Sequence, residues 1–215
     1  MCSLRDSRSH QNRKLKPSRA RGGLFTIGHS TRTLSEFLEI LKAHGIRRLV
    51  DVRSFPRSRH TPQFNRDALA RKLRSRRINY VHLKKLGGRR HPKKDSPNHG
   101  WHNASFRGFA DYMQTPQFKE GLERLLKLSD MKPTAVMCAE AVPWRCHRSL
   151  IADALLVRGV TVEDIFSATL RKPHKLTPFA KVRKQSLTYP APTPPRSRSP
   201  EKTVTEAEHR RRRTR

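Results

Sequence analysis

From Leu24 to Phe166, apolar runs of strand length alternate with amphipathic stretches of helical length, and no other feature constrains the fold as tightly. "LFTIGH" opens as a strand. Thr33 with Glu36 forms a capping box for a helix that uses Leu34, Phe37, Leu38 and Leu41 and is closed by Gly45. "IRRLVDV" is the second strand, Asn65 caps a helix through Leu69 and Leu73, and "INYVHL" is the third strand. A long polar segment follows, then a helix opened by Thr115 and Pro116 that runs through Leu122, Leu125 and Leu126. "PTAVM" reads as a buried strand after a proline. Leu150, Ile151, Ala154 and Leu155 then form a helix stopped at Gly159, and "VTVEDIF" is a last strand. Strands separated by single helices predict an α/β chain: a three-layer sandwich, its mainly parallel sheet covered by helices on both faces.

Such sheets place ligands in the crevice beyond the carboxyl ends of their strands. The polar residues just after each strand therefore form the candidate site: His29 and Ser30, Asp51 and Arg53, the 86–90 segment, and Cys138 with Glu140. The richest of these stretches is "MCAEAVPWRCHRSL", where two of the chain's three cysteines bracket a strand–loop–helix turn. Unpaired N–H groups at the helix start, with Arg145, His147 and Arg148, favour an anion there. Such surroundings lower a thiol pKa from about 8.5 into the range of about 3.5–7.5 and make a nucleophile at neutral pH. Cys138 and Cys146 both qualify, Cys146 also as a resolving thiol for Cys138; the alternative is two small apolar residues packed on the sheet. Glu140 serves as a general base or holds an arginine in place. An unpaired Asp51 would be costly at the end of a buried strand, so a partner is expected, with Arg148 and Arg57 as candidates. In "LGGRRHPKKDSPNHGWHNASFRG", Gly87 and Gly88 let the backbone approach a ligand and Arg89 and Arg90 supply charge. Trp101 and Phe106 offer rings for stacking a base, or else tuck into the domain.

Charge sets the class of partner. The 215 residues carry a formal net charge of +31 with 34% hydrophobic residues, and the mean hydropathy is −0.82. Residues 1–23 hold +6 of that charge and residues 181–215 hold +8, which leaves +17 on the middle. Both end segments lack the apolar surface that offsets the entropy of ordering, so they are expected to be disordered basic tails around a folded unit at 24–180. A folded unit with that excess attracts polyanions, and DNA or RNA is the expected partner through the tails and a basic face. No apolar run reaches the length of a membrane span, the three cysteines are an odd number that fits reduced thiols, and a cytoplasmic location is expected. The chain has no phosphate-loop or dinucleotide glycine pattern, so no cofactor is expected. Cys138, Glu140, Cys146 and His147 in one loop, and His91, His99 and His102 in another, lack the paired spacing of a metal site, so no metal is expected either.

Five segments carry a family resemblance: "TIGHSTRTLSEFLEIL", "LVDVRSFPRSRHTPQFN", "YVHLKKLGGRR", "SFRGFADYMQTPQF" and "MCAEAVPWRCHRSLIADAL". Together they resemble the family called domain of unknown function 488 over about residues 24–180. The resemblance implies the α/β fold and the location of the site, and it implies no substrate. A strand ending in "DVR" and a later strand ending in Cys before an Arg-Ser helix start is also similar to the layout of rhodaneses, which transfer sulfur through a persulfide. Here the loop is longer and a second cysteine interrupts it.

Two readings remain open on the sequence. One is a cysteine-dependent enzyme acting on a nucleotide or nucleic-acid component held by arginines. The other is a binding module for nucleic acid or phosphate whose cysteines are structural.

Overall fold

The computed structural model describes residues 23–192. Five strands pair in parallel in the order β3-β2-β4-β1-β5: β1 (Leu24–Gly28), β2 (Arg48–Asp51), β3 (Asn79–His82), β4 (Thr134–Cys138) and β5 (Val162–Ile165). A sixth, β6 (Arg171–Pro173), closes the β5 edge in antiparallel orientation. The central strand β1 is buried along its whole length, as expected for a strand covered on both faces.

The side-chain alternation of the strands sorts the helices into two layers. Phe25, Ile27, Leu49, Ala135 and Met137 pack with Phe37 and Leu41 of α1 (Leu34–Ala43) and Leu69 and Leu73 of α2 (Arg66–Ser75). Leu24, Val50, Val136 and Cys138 face the other way, onto α3 (Ala104–Tyr112), α4 (Pro116–Ser129) and α5 (Arg148–Leu156). The chain therefore leaves β1 for one face and β4, its neighbour, for the opposite face. That divergence opens the crevice in which α/β proteins bind ligands.

Local signals act as the sequence indicates at Thr33, whose hydroxyl accepts from the Glu36 N–H while the Glu36 carboxylate accepts from the Thr33 N–H. Asn65 occupies the cap position of α2 but does not cap it. Its side chain accepts instead from the Ser58 N–H at 2.6 Å and shapes the loop before the helix. The polar segment after β3 is less irregular than its composition suggests, because Asn103 caps α3 through the Ser105 and Phe106 N–H groups. Among the described residues no helix is long and apolar enough to cross a membrane.

The chain continues in ordered form past residue 180, inside the segment expected as a tail. β7 (Lys181–Arg183) and β8 (Ser186–Thr188) form an antiparallel hairpin. Tyr189 is fully buried, and its hydroxyl donates to Asp153 Oδ2 at 2.9 Å. Residues 1–22 and 193–215, the bulk of the two expected tails, lie outside the described residues.

Asp153 belongs to a buried charge cluster that ties α5 to β5 and to the segment after β6. His174 bridges two carboxylates, Asp164 Oδ2 at 2.8 Å and Asp153 Oδ1 at 3.1 Å. Thr26 donates to Asp164, and Thr177 donates to Asp153 through both its hydroxyl and its N–H. Burial opposes a charge on His174, but the bonds to Asp153 and Asp164 outweigh it and raise the imidazole pKa from 6.5 to about 9. A folded pKa above the unfolded one means stability that is complete below pH 6.5 and fades as pH rises through 9. Thermal unfolding followed from pH 6 to 10 should show that fall in Tm. His174→Ala should remove the slope and cost about 3–5 kcal/mol, since it leaves two buried carboxylates without their cation.

Candidate functional site

The carboxyl ends of β1, β2 and β4 carry two connected groups of polar side chains. The first centres on Asp51, which is fully buried. Its partner is neither Arg148 nor Arg57 but Arg53, two residues along: Nε and Nη2 both reach the carboxylate, the shorter bond 2.6 Å, and Tyr80 Oη donates at 2.7 Å. β2 ends at Asp51, and the chain turns so that the Arg53 side chain folds back. Arg53 also donates to the Phe64 carbonyl at 2.7 Å and approaches His29 Nε2 at 3.3 Å. His29 donates through Nδ1 to the Ser30 carbonyl and stacks on Phe64 at 4.2 Å. Burial is the main cause that lowers its pKa to about 4, so it is neutral at pH 7. Arg57 is exposed and stands apart from this network.

The second group contains the two thiols. Cys138 ends β4 opposite Gly28 of β1, and the loop beyond it returns through a 3-10 turn at Pro143–Arg145 to Cys146 and the start of α5. Cys138, Cys146 and His147 bring their sulfur and nitrogen atoms within 4.8 Å of one another. His147 donates through Nε2 to the Val52 carbonyl at 3.1 Å, which leaves Nδ1 facing Cys138 Sγ at 3.8 Å and Cys146 Sγ at 3.7 Å. The same segment after β2 therefore holds both groups, one through Asp51 and Arg53 and the other through Val52.

The environments of the two thiols drive their acidities apart. The neighbouring Cys146 is the main cause that holds the Cys138 thiol pKa below the usual value despite burial, with Arg148 and the N–H groups of Ala139 and Glu140 adding to the effect. Burial, and then Cys138 itself, push the Cys146 thiol well up. Arg148, 1% exposed, folds the loop by donating to the Glu140 carbonyl at 2.6 Å and the Ala141 carbonyl at 2.9 Å. Glu140 thus contributes its main chain, while its side chain is exposed.

The glycine-rich segment is packed against this centre. A Cβ on Gly88 would lie 2.5 Å from His147 Cγ, so only glycine lets the backbone cross the imidazole. A Cβ on Gly87 would lie 2.8 Å from the hydroxyl oxygen of Ser54, which accepts from the Arg89 N–H. Arg90 is held against Tyr112, 3.6 Å from the ring centroid, and its Nε donates to the Gly87 carbonyl. Arg89 is exposed, with its guanidinium 5.4 Å from the Phe55 ring. His91, His99 and His102 are all exposed and belong to no cluster of metal-capable groups among the described residues. The three-donor set of Cys138, Cys146 and His147, which no linear spacing signalled, is also one that a soft divalent metal accepts.

Sequence reasoning missed Tyr80, His82 and Val52. Tyr80 and His82 lie in the third strand, where period-2 patterning gives no sign that Tyr80 reaches Asp51 or that His82 donates to the Arg53 carbonyl at 2.9 Å. Val52 acts through its carbonyl, which no side-chain motif can show.

The fold and these two groups define an α/β protein with a paired-cysteine loop at the switch point of a parallel sheet. The family model described as "Domain of unknown function DUF488" matches residues 33–155, and the chain belongs to that family. No curated protein and no solved structure matches it.

A Cβ on Gly28 would run into the Glu140 carbonyl, 2.6 Å from its carbon. Gly28→Ala should therefore displace the cysteine loop and lower stability by about 1–3 kcal/mol in denaturant unfolding. Gly88→Ala should instead turn His147 away from the sulfurs, which the imidazole NMR resonances would report.

Proposed function

We propose that the protein is a cysteine-dependent enzyme in which Cys138 is the nucleophile, acting on a nucleotide or nucleic-acid component. The observation that carries this reading is the geometry of the loop: His147 Nδ1 lies 3.8 Å from Cys138 Sγ and 3.7 Å from Cys146 Sγ, beside the buried Arg148, and these surroundings lower the Cys138 thiol pKa while they raise that of Cys146. Environments that push paired groups apart assign acid and base roles. His147 Nδ1, its other nitrogen committed to Val52, takes the Cys138 proton. The thiolate forms a bond to the electrophilic centre as the bond to the leaving group breaks, and the leaving group takes the proton back from His147. Attack by water or an acceptor nucleophile then releases the thiolate.

The substrate class rests on charge. The chain carries +31, and the loops around the site bear exposed Arg57, Arg89 and Arg145. Arg89, exposed where Arg90 is held closely on Tyr112, is suited to a phosphate contact. Affinity of the full chain for DNA or RNA should fall steeply with salt, and Arg89→Ala should reduce the log–log slope by about one.

Alkylation by iodoacetamide from pH 5 to 9, with the adduct located by mass spectrometry, tests the nucleophile. Cys138 should react with a midpoint below the value of about 8.5 of a free thiol, Cys146 should not, and Cys146→Ala, which removes the neighbouring donor, should raise the Cys138 midpoint. Equal, ordinary reactivity of both thiols would overturn the proposal. One equivalent of tightly held zinc in the purified protein would replace the nucleophile with a metal centre.

A further inference from the structure

Beside the cysteine loop, a cavity of about 720 Å3 is walled largely by apolar side chains, among them Trp101, Trp144, Phe166 and Phe179. The size lies within the range of small-molecule sites. Trp144 comes from the loop between Cys138 and Cys146, is 63% exposed, and lies 6.2 Å from the Phe166 ring. An indole this exposed on a loop gains nothing for the fold. Trp101 packs edge-on against Phe179 at 4.9 Å and adds a second indole to the wall.

The rest of the lining narrows the ligand. Lys172 and Lys175, both exposed, add two ammonium groups. The His174 and Asp164 side chains that also border the cavity are already bonded to each other and to Asp153 and Thr26, so they leave the lysines free to meet an anion. A fitting ligand has a flat ring for the indoles and a negative group for the lysines. A bare phosphate lacks the ring, and a nucleoside lacks the charge.

We propose that this cavity binds a mononucleotide, with its base stacked on Trp144 and its phosphate held by Lys172 and Lys175. The inference rests on the reading of Cys138 as a nucleophile for its biological sense, since Trp144 would carry the ligand on the nucleophile's own loop. Its physical test is independent of that reading.

Trp101 and Trp144 are the two tryptophans of the chain, so intrinsic fluorescence reports the cavity directly. Titration of the full-length protein with AMP, GMP, CMP and UMP at low salt should give saturable quenching by at least one of them. The matching nucleoside and inorganic phosphate should each bind more weakly. Trp144→Leu, an exposed change that the fold tolerates, should weaken the nucleotide by about tenfold, the magnitude of one lost base stack. Lys172→Ala with Lys175→Ala should weaken the nucleotide and leave the nucleoside unchanged. Absence of saturable quenching up to about 10 mM of every nucleotide, a weaker affinity than any cellular ligand needs, overturns the proposal. Phosphate binding as tightly as the nucleotide, or affinity unchanged in Trp144→Leu, overturns it equally. An acidic, reactive Cys138 in protein that binds no nucleotide removes the pocket and leaves the nucleophile. Nucleotide binding with an ordinary Cys138 thiol does the reverse.

Discussion

The site depends on one buried cation. Arg148 is almost wholly removed from solvent, donates to two loop carbonyls, and has no carboxylate paired with it among the described residues. A buried guanidinium without a counter-ion is expensive. One group able to carry the compensating negative charge is the Cys138 thiol, whose acidity Arg148 increases. The same two hydrogen bonds that orient Arg148 also fix the loop that lies against Gly28, so loop shape and thiol acidity have a common origin.

The two other buried charge groups are of a different kind. Asp51 and Arg53 neutralise each other, and their extra bonds go to a tyrosine and a main-chain carbonyl. Their position next to His29 and Val52 suits them to holding the crevice in shape. The Asp153–His174–Asp164 cluster is fully bonded and joins α5 to β5 and to the chain beyond β6. Tyr189 completes it, so the folding unit needs residues that a composition-based boundary at 180 leaves out.

The main sheet and its helices were legible because they follow from alternation and caps that are local. The strands of β1 to β5 and the helices apart from α3 fall where apolar spacing puts them. The α3 helix was hidden because its apolar residues, Phe106, Phe109 and Ala110, sit among polar and glycine residues that read as loop. The C-terminal hairpin was hidden for the same reason, its only buried strand residue being Leu187. The site was legible as a set of strand ends but not as a set of partners. Asp51 finding Arg53, and His147 finding the Val52 carbonyl, depend on how the chain turns after β2, which no spacing rule contains.

The position of β1 has a consequence for how the protein is made. Among the described residues, the first strand in chain order is one that ends up in the middle of the sheet, and its two neighbours begin at Thr134 and Val162. Leu24 to Ile27, an apolar run with both edges unpaired, must therefore wait for more than half of the chain before it has anything to pair with. Pairings this far apart in sequence are slow to form and leave such a strand open to association with other chains in the interval. The nascent chain thus carries an open, apolar strand until its last parallel strand has left the ribosome.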